Sequence, residues 1–477
     1  MDTNHRTDTK IQSERAVLAA VRLPDSRFNP DDPFGELTAL VEQAGATVVG
    51  TLDQNLQRPH AGTYMGSGKL DKLKSLCSEL RADTVIFDHE LSPKQIATIE
   101  KVVERKVLDR SEVILDIFAS RATTHEAKLQ VEIAQLEYTY PRLRAMWSHL
   151  ERIAGGSPGG VGTRGPGEQQ LEIDRRLVQR RKTLLKQELS KIQARKQRTV
   201  EKRNADHFSV GLVGYTNAGK STLFNTLTAG GAYADDRLFA TLMTRTRMWN
   251  LGQGTEVMLS DTVGFVRDLP HNLVASFRAT LEEATHADLL LIVLDVSDPA
   301  AELQYQEVMR TLDELFDTVK AETERSAKQG SGNDNIEPRQ PPKRVVLLNK
   351  VDQLRNNTEL LIWQQRLENS LPICALPPEG DTPRRGQEEL RRLVLDETLG
   401  EIRELTLTLP MRESHALNIL ETKADILDRT YEGNNVTIRA RVGIRLLARM
   451  KSAGAQIRFD DPESPNRAGA PWKAPLP

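Results

Sequence analysis

The sequence predicts a multidomain α/β protein, and four observations support this fold class. The chain has 477 residues, more than one hydrophobic core usually holds. Apolar strand-like runs alternate with helical patterns over residues 15–120 and again over 205–402, which predicts two open parallel sheets. Residues 121–204 repeat apolar side chains every three or four positions, the spacing of long helices. Residues 403–460 combine strand and helix patterns and predict a small α+β domain.

The amino-acid composition indicates the cellular compartment and limits the kinds of partner. The formal net charge is -2 with 28% charged residues, so any basic surface must be local. The two cysteines, Cys77 and Cys374, lie far apart and outside any CxxC pattern, which argues against disulfides and zinc and favours a reducing compartment. No apolar run reaches the ~20 residues of a membrane span, and the N-terminus lacks a signal-peptide core. We expect a cytoplasmic protein without membrane insertion.

The N-terminal α/β domain is expected at residues 15–120, after a disordered stretch at 1–14. Its strands and helices take turns, which is typical of a parallel sheet with helical crossovers. Gly66–Lys69 stands at the entry of one helix, and two interpretations remain open, an anion site on helix amides or a plain capped helix start. Strands are predicted at 16–21, 46–51, 84–87 and 107–108, and helices at 34–45, 69–82 and 93–105.

A long antiparallel helical hairpin is expected at residues 121–204. Two helical patterns, at 111–150 and 170–203, flank a loop at 154–167 that is too rich in glycine to form a core of its own. Two antiparallel helices with a flexible tip are the economical interpretation.

The second helix of this hairpin is strongly basic. It carries twelve Lys and Arg residues from Arg175 to Arg203 against two acids, Glu188 and Glu201. This imbalance predicts a cationic arm that contacts a polyanion, with a solvated helix face as the alternative. Few aromatic residues interleave the charges, which favours phosphates and folded RNA over stacked bases. The candidate RNA-binding residues are Arg164, Arg175, Arg176, Arg180, Arg181 and Lys182.

A phosphate-binding loop follows the hairpin. The apolar run 208–213 ends at a GxxxxGK[ST] match, whose glycines let backbone amides turn toward an anion. Lys220 would contact the β- and γ-phosphates, Ser221 would bind Mg²⁺, and the helix opening at Thr222 would direct its positive end at the same phosphates. A Gly-rich turn without a ligand is the alternative. The candidate nucleotide-binding residues here are Gly214, Tyr215, Thr216, Asn217, Ala218, Gly219, Lys220, Ser221 and Thr222.

Two further motifs indicate which nucleotide binds. Asp261 to Gly264 reads DxxG at the end of a strand, where the carboxylate can hold Mg²⁺ through water and the glycine amide can meet a γ-phosphate. Asn349, Lys350 and Asp352 form NKxD, and Asp352 can accept two hydrogen bonds from guanine that adenine does not donate. The three motifs in this order predict a P-loop GTPase domain with bound GTP or GDP and Mg²⁺.

The remaining elements of this domain follow a doubly wound order. A polar segment at 320–342 precedes the NKxD strand and is expected to be a disordered insertion. Cys374 and Ala375 follow the last strand and resemble a base-contacting Ser-Ala motif. Strands are predicted at 208–213, 257–259, 289–294 and 345–348, and helices at 219–229 and 273–284.

The C-terminal part predicts a small α+β domain at 403–460. An alternating strand at 405–409 is followed by a helix at 414–430 and a second alternating strand at 436–442. The tail at 461–477 is expected to be disordered.

Several stretches resemble the HflX family of ribosome-associated GTPases, over about residues 15–409. These are YMGSGKL at Tyr64, DIFASRATTHEAKLQVEIAQLEY at Asp116, GGVGTRGPGEQQLEIDRR at Gly159, LFATL at Leu238 and DTVGFVRDLP at Asp261. The chain departs from the family pattern at Gln169, at Met243-Thr244 and in the segment 320–342.

This resemblance implies a factor that binds the large ribosomal subunit and ribosomal RNA under the control of GTP, and that splits or rescues stalled ribosomes. It also implies an N-terminal nucleotide site, for which the sequence contains no second Walker loop. Two alternatives therefore stay open, a ribosome-assembly GTPase and an ATP-dependent RNA remodeller. We expect a monomer off the ribosome.

The resemblance also implies that Thr241 supplies the Mg²⁺-sensing hydroxyl, although Thr244 lies in the same loop. With Thr241, the expected catalytic residues are Lys220 and Gly264. Phe265 follows Gly264 where a glutamine would orient the attacking water, and phenylalanine cannot hydrogen-bond that water. Intrinsic hydrolysis should therefore be slow and stimulated by the ribosome.

An Asp352→Asn variant should shift base preference from guanine toward xanthine. The side-chain amide presents a donor where the guanine N–H and amine need an acceptor. Competition between the two nucleotides for the variant and the unmodified protein measures the shift. An undiminished preference for guanine would show that another group reads the base.

Overall fold

The structure is a computed structural model. It describes residues 14–24, 26, 28–29, 31–153, 166–228, 244–252, 255–268, 284–329, 341–354, 356–376, 386–452 and 455–460. Several predicted features lie outside the described residues, namely the stretch 1–13, the loop 154–165 with Arg164, the segment 229–243 with Thr241, nearly all of the helix at 273–284, the segment 330–340 and the tail 461–477.

The N-terminal domain contains a parallel sheet, as the sequence predicts. Its strands are β1 (Arg15–Arg22), β2 (Thr47–Asn55), β3 (Thr84–Phe87) and β4 (Lys106–Asp109), and its helices are α1 (Gly35–Gln43), α2 (Ser67–Glu79), α3 (Pro93–Val103) and α4 (Arg110–Arg121). The strand order is β2-β1-β3-β4. In β1, Ala16 and Leu18 face a core that includes α1 and α4, whereas Val17 and Ala19 face a core that includes α2 and α3.

The helical region consists of α5 (His125–Ile153) and α6 (Pro166–Asp206). Leu129 and Ile133 of α5 pack against Leu185 and Leu189 of α6. The loop between the helices is shorter than predicted, since Pro166 and Gly167 are already helical. Proline suits the first turn of a helix, where its missing N–H has no partner to lose.

The basic face of α6 is partly neutralised, contrary to the expectation of a nearly acid-free arm. Arg181 lies 2.8 Å from Glu132, and Lys182 and Lys186 lie 3.1 and 2.7 Å from Glu137. The acids that α6 lacks are supplied by α5, because the antiparallel pairing brings Glu132 and Glu137 alongside it. Among the described basic residues of α6, Arg176, Arg180 and Lys191 stay exposed without an ion pair.

The GTPase domain contains a six-stranded sheet in the order β10-β9-β8-β5-β7-β6. Its strands are β5 (Phe208–Gly214), β6 (Arg245–Gly252), β7 (Thr255–Asp261), β8 (Leu289–Asp295), β9 (Lys343–Asn349) and β10 (Ser370–Pro372), with helices α7 (Lys220–Leu227), α8 (Ala301–Gln329), α9 (Asn357–Arg366) and α10 (Gln387–Leu399). All neighbours are parallel except β6 and β7. Parallel pairing brings the carboxyl ends of β5, β7 and β9 to one edge.

Helix α8 corrects the prediction of a disordered insertion at 320–342 over its first ten residues, 320–329. The helix continues to Gln329. The residues 320–329 are mostly Ala, Glu, Lys, Arg and Gln, which are strong helix formers, and Gly330 is the first glycine after them. The composition was therefore typical of a charged helix as well as of a disordered segment.

The C-terminal sheet corrects the predicted helix at 414–430. Its elements are β11 (Ile402–Pro410), α11 (Ser414–Lys423), β12 (Asp425–Glu432), β13 (Asn435–Gly443), α12 (Ile444–Ser452) and β14 (Arg458–Asp460), with the antiparallel strand order β12-β13-β11-β14. Helix α11 ends at Lys423, and β12 pairs with β13 through a turn at Gly433 whose φ is +59°. Cross-strand pairing overrides a helical pattern that was ambiguous at Ile426 and Leu427.

None of the described helices is both long enough and apolar enough to cross a membrane.

Replacing Leu185 by Ala should loosen the hairpin, whereas Leu184→Ala should not. Leu185 is 2% exposed and touches the α5 core, so its truncation should cost about 2–4 kcal/mol, while Leu184 is 61% exposed. Hydrogen exchange of the α5 and α6 amides in the two variants measures the difference. Equal exchange in both would contradict the packing described for α6.

Candidate nucleotide-binding site

The phosphate loop turns sharply between β5 and α7. Gly214 has φ +156°, and a Cβ there would lie 2.3 Å from the Val293 carbonyl oxygen. Gly219 has φ +95°, and a Cβ there would lie 2.3 Å from Asn349 Nδ2. Both positions therefore require glycine, because any larger residue would be strained and would collide with a neighbouring strand or loop.

Lys220 is almost completely buried at the start of α7. Its side chain is 6% exposed, and Nζ donates to the Tyr215 carbonyl oxygen at 2.6 Å. Burial lowers the pKa of Lys220 to about 8, although the nearby charge of Asp261 acts in the opposite direction. An ammonium group in this position is short of solvation, and a polyphosphate would provide the missing negative charge.

A hydroxyl and a carboxylate stand together beside the lysine. Ser221 Oγ donates to Asp261 Oδ2 at 2.7 Å, and Asp261 is fully buried at the end of β7. Oxygen ligands of this kind suit Mg²⁺, so the two residues fit the ion that the GTPase class uses. Thr241, the third predicted metal residue, lies outside the described part of the chain.

Gly264 meets the phosphate loop directly. A Cβ at Gly264 would lie 2.8 Å from Thr216 Cγ2 and 3.1 Å from Lys220 Nζ. Backbone hydrogen bonds hold this approach, because Phe265 N donates to Gly214 O at 3.0 Å and Thr216 N donates to Phe265 O at 2.8 Å. The structure thus brings the DxxG glycine to the predicted lysine.

Asn349 of the NKxD motif joins the base-contacting loops to the phosphate loop. Its Nδ2 donates to Ala218 O at 2.7 Å, and its Oδ1 accepts from Ala375 N at 3.0 Å. Lys350 forms an ion pair with Asp295 at 2.6 Å, and Asp352 is exposed in a short 3-10 turn. Asn349 and Ala375, two of the residues predicted to bind the base, are therefore held at the same end of the loop.

The half-buried Cys374 lies beside a residue that sequence reasoning missed. Gln387 Nε2 donates to the carbonyl oxygens of Cys374 and Leu376 at 3.0 and 3.1 Å, which fixes the loop after β10. A glutamine fifteen residues after the end of β10 has no motif to mark it.

The N-terminal domain also reaches the site. Tyr215 of the phosphate loop donates its hydroxyl to Glu36 of α1, and the Arg267 amide donates to the Tyr215 hydroxyl oxygen at 2.7 Å. Glu36 and Tyr215 are 179 positions apart, so no spacing in the sequence could reveal this contact.

A strand-borne phosphate loop, a DxxG glycine at its lysine and an NKxD asparagine bound to its backbone define a P-loop GTPase. Family models agree over most of the chain. They match a GTP-binding GTPase N-terminal region at residues 31–119, a GTP-binding GTPase middle region at 121–203 and a 50S ribosome-binding GTPase at 209–325.

Curated relatives identify the family. The GTPase HflX of Lacrimispora saccharolytica is 46% identical over 309 residues, which cover 65% of this chain and 72% of the relative. The GTPase HflX of Caldanaerobacter subterraneus is 34% identical over 445 residues, covering 92% and 93%. A GTP-binding protein of Sulfolobus solfataricus, solved with GDP, covers 81% of this chain and 98% of its own at 24% identity and a TM-score of 0.38. The chain belongs to the HflX family of GTPases and hydrolyses GTP.

Nucleotide binding should take up protons above pH 8. Phosphate favours the charged form of Lys220 and so raises a pKa that is about 8 without ligand. Below pH 7 the lysine is already charged, whereas at pH 8.5 most molecules must gain about one proton on binding. Calorimetry of GDP binding in buffers of different ionisation enthalpy counts these protons. The Lys220→Arg variant stays charged and serves as the control, and absence of uptake at pH 8.5 in the unmodified protein would contradict the assignment.

Proposed function

We propose that the protein is a GTP-controlled factor of the large ribosomal subunit that splits or rescues stalled ribosomes in the cytoplasm. The observation that carries this proposal is the match of residues 209–325 to a 50S ribosome-binding GTPase, next to a helical hairpin with exposed arginines. The HflX membership supports the same activity.

In this proposal the buried end of the phosphate loop holds the triphosphate. Lys220 contacts the β- and γ-phosphates, and the Gly264 amide senses the γ-phosphate, because both already lie together in the structure. Ser221 and Asp261, together with Thr241, would hold Mg²⁺, and the bound ion would neutralise charge on the phosphates. Asp352 selects guanine, while Asn349 keeps the base-contacting loops attached to the phosphate loop.

The position after the DxxG glycine supports slow intrinsic hydrolysis. Phe265 is 3% exposed and lies in the apolar core between β8 and α8, so it offers no group to the attacking water. The partner that completes the site is then the large subunit. GTPase rates with and without 50S subunits test this, with Lys220→Ala as the inactive control. A rate unaffected by 50S subunits would contradict the proposal.

Sucrose gradients separate splitting from assembly. A splitting factor dissociates 70S particles in the presence of GTP, whereas an assembly GTPase migrates only with immature subunits. If 70S particles stay intact and the protein migrates with precursor subunits, ribosome assembly would replace ribosome splitting as the proposed function.

Ribosomal RNA is the proposed partner of the hairpin. Of the six candidate residues, Arg176 and Arg180 are exposed without an ion pair in the described part of the chain, whereas Arg181, which is also exposed, and Lys182 are already paired with α5 acids. We therefore assign the phosphate contacts to Arg176 and Arg180, together with Arg164 and Arg175, and assign Arg181 and Lys182 chiefly to hairpin cohesion.

Charge reversal of Arg176 and Arg180 together should weaken binding to 50S subunits and flatten its salt dependence. Each lost phosphate contact should lower the log–log slope by about one unit at most. A binding titration at two salt concentrations measures both effects. Arg392→Glu on α10, at another exposed arginine that is distant in sequence from the hairpin, is the control. Affinity equal to that of the unmodified protein at both salt concentrations would refute the RNA contact.

A further inference from the structure

Two side chains outside the nucleotide-binding motifs hold the loop that follows β10. Nε2 of Gln387, at the start of α10, donates to the carbonyl oxygens of Cys374 and Leu376 at 3.0 and 3.1 Å. The carbonyl oxygen of the intervening Ala375 accepts from Thr226 Oγ1 of α7 at 2.8 Å. Three consecutive carbonyl groups are therefore bound by side chains from two helices.

The hydroxyl of Thr226 is directed chiefly at this loop rather than at its own helix. Its Oγ1 lies 3.0 Å from the Thr222 carbonyl oxygen, one turn earlier, but 2.8 Å from the Ala375 oxygen. A hydroxyl has one hydrogen to donate, so the shorter contact is the better placed. Thr228, directly after the same helix, instead donates to the Phe224 oxygen of that helix at 2.7 Å. The two threonines are thus similar in position but differ in what they bind.

A close approach at Gly386 places Gln387 against the loop. Gly386 has φ +76°, and a Cβ there would collide with the Pro372 carbonyl oxygen at the end of β10. Glycine therefore lets α10 begin directly against the strand. Gln387 is 8% exposed, and its side-chain amide carries two N–H groups on one nitrogen. One such nitrogen can bridge two carbonyl oxygens, as it does here.

Apolar packing alone does not fix the loop. Ile373, the residue before it, is fully buried, and Ala375 contributes only a buried methyl group. Leu376 is 55% exposed. Residues 374–376 thus contain no large buried side chain, and the hydrogen bonds from Gln387 and Thr226 determine how their backbone lies.

Binding the carbonyl groups also sets the direction of the N–H groups that follow them. In a trans peptide the N–H points opposite to the preceding C=O. The Ala375 N–H therefore points away from Gln387, and it donates to Asn349 Oδ1 at 3.0 Å. By the same rule the Leu376 N–H points away from Thr226. The two side chains fix the direction of these donors as well as the position of the loop.

N–H donors of fixed direction can distinguish two purines. Guanine has an oxo group at position 6, which accepts a hydrogen bond, whereas adenine has an amino group there, which donates one. An aligned N–H therefore favours the oxo group and leaves an amino group without an acceptor. This contact is separate from the two guanine donors that Asp352 is proposed to accept.

We propose that Thr226 and Gln387 are specificity-determining positioning residues, which fix the loop after β10 so that its amide N–H groups read the 6-oxo group of guanine. The inference rests on the proposed base site at Asn349 and Asp352. Neither positioning residue touches the nucleotide in this role, since each acts on the backbone of the loop. A loop that is held before the ligand arrives loses little conformational freedom on binding.

Binding of GDP and of 6-thio-GDP to the full-length protein tests the proposal. Sulfur is a poorer acceptor than oxygen, so the unmodified protein should prefer GDP. Gln387→Met keeps the length of the side chain without its donors, and Thr226→Val keeps the shape without the hydroxyl. The Kd for GDP should rise about tenfold in Gln387→Met, which loses two hydrogen bonds, and about threefold in Thr226→Val. The Kd for 6-thio-GDP should rise about twofold at most, because the contact that it lacks cannot be lost again.

Thr228→Val, which removes a hydroxyl bound to its own helix, is the matched control and should bind both nucleotides like the unmodified protein. A merely structural role of Gln387 would weaken GDP and 6-thio-GDP by the same factor. That result, or an unchanged Kd for GDP in Gln387→Met, would overturn the proposal. Should Gln387→Met fail to fold, Thr226→Val alone decides it. Asp352→Asn tests the base site separately, because a lost guanine preference there beside an unaffected Gln387→Met would reject only the positioning role.

Discussion

A buried ammonium group is the constraint on which the GTPase domain depends. Lys220 is 6% exposed, and a pKa of about 8 in place of 10.5 corresponds to about 3 kcal/mol of disfavoured charge at neutral pH. Three neighbouring residues surround or position this charge. Gly219 lets the backbone curl around it, Asp261 stands near it, and Asn349 fixes the loop that carries it. A phosphate chain would relieve the cost, so the same arrangement both destabilises the empty site and favours the ligand.

Sequence reasoning succeeded where the signal was local. The strand before the phosphate loop, the DxxG and NKxD strand ends and the alternating N-terminal elements depend on patterns within a few residues, and the structure contains them. Strand β6 was not predicted, because an edge strand with half of its side chains exposed has no clear apolar period. Strand β12 was mistaken for a helix because its partner strand, rather than its own composition, decides its conformation.

The contacts between domains could not be predicted from the sequence, for a different reason. Glu36, Asp88 and Arg110 look like ordinary charged residues in the sequence, and only the folded chain brings them to Tyr215 and Arg267. The hairpin shows the same limit. Counting charges along α6 alone overstated its free positive charge, since Glu132 and Glu137 neutralise it from the opposite helix. Ion pairs between separate helices reduce the free charge that a run of basic residues presents to a partner.

The direct connection of α6 to β5 has a mechanical consequence. A helix of 41 residues is about 60 Å long. Only His207 separates its last residue from β5, and β5 ends at the phosphate loop. A tilt of about 5° at the base of such a rod displaces its far end by ~5 Å. The hairpin is therefore a lever whose base is the amino end of β5, and a force on its far end acts on the strand whose opposite end carries the phosphate loop.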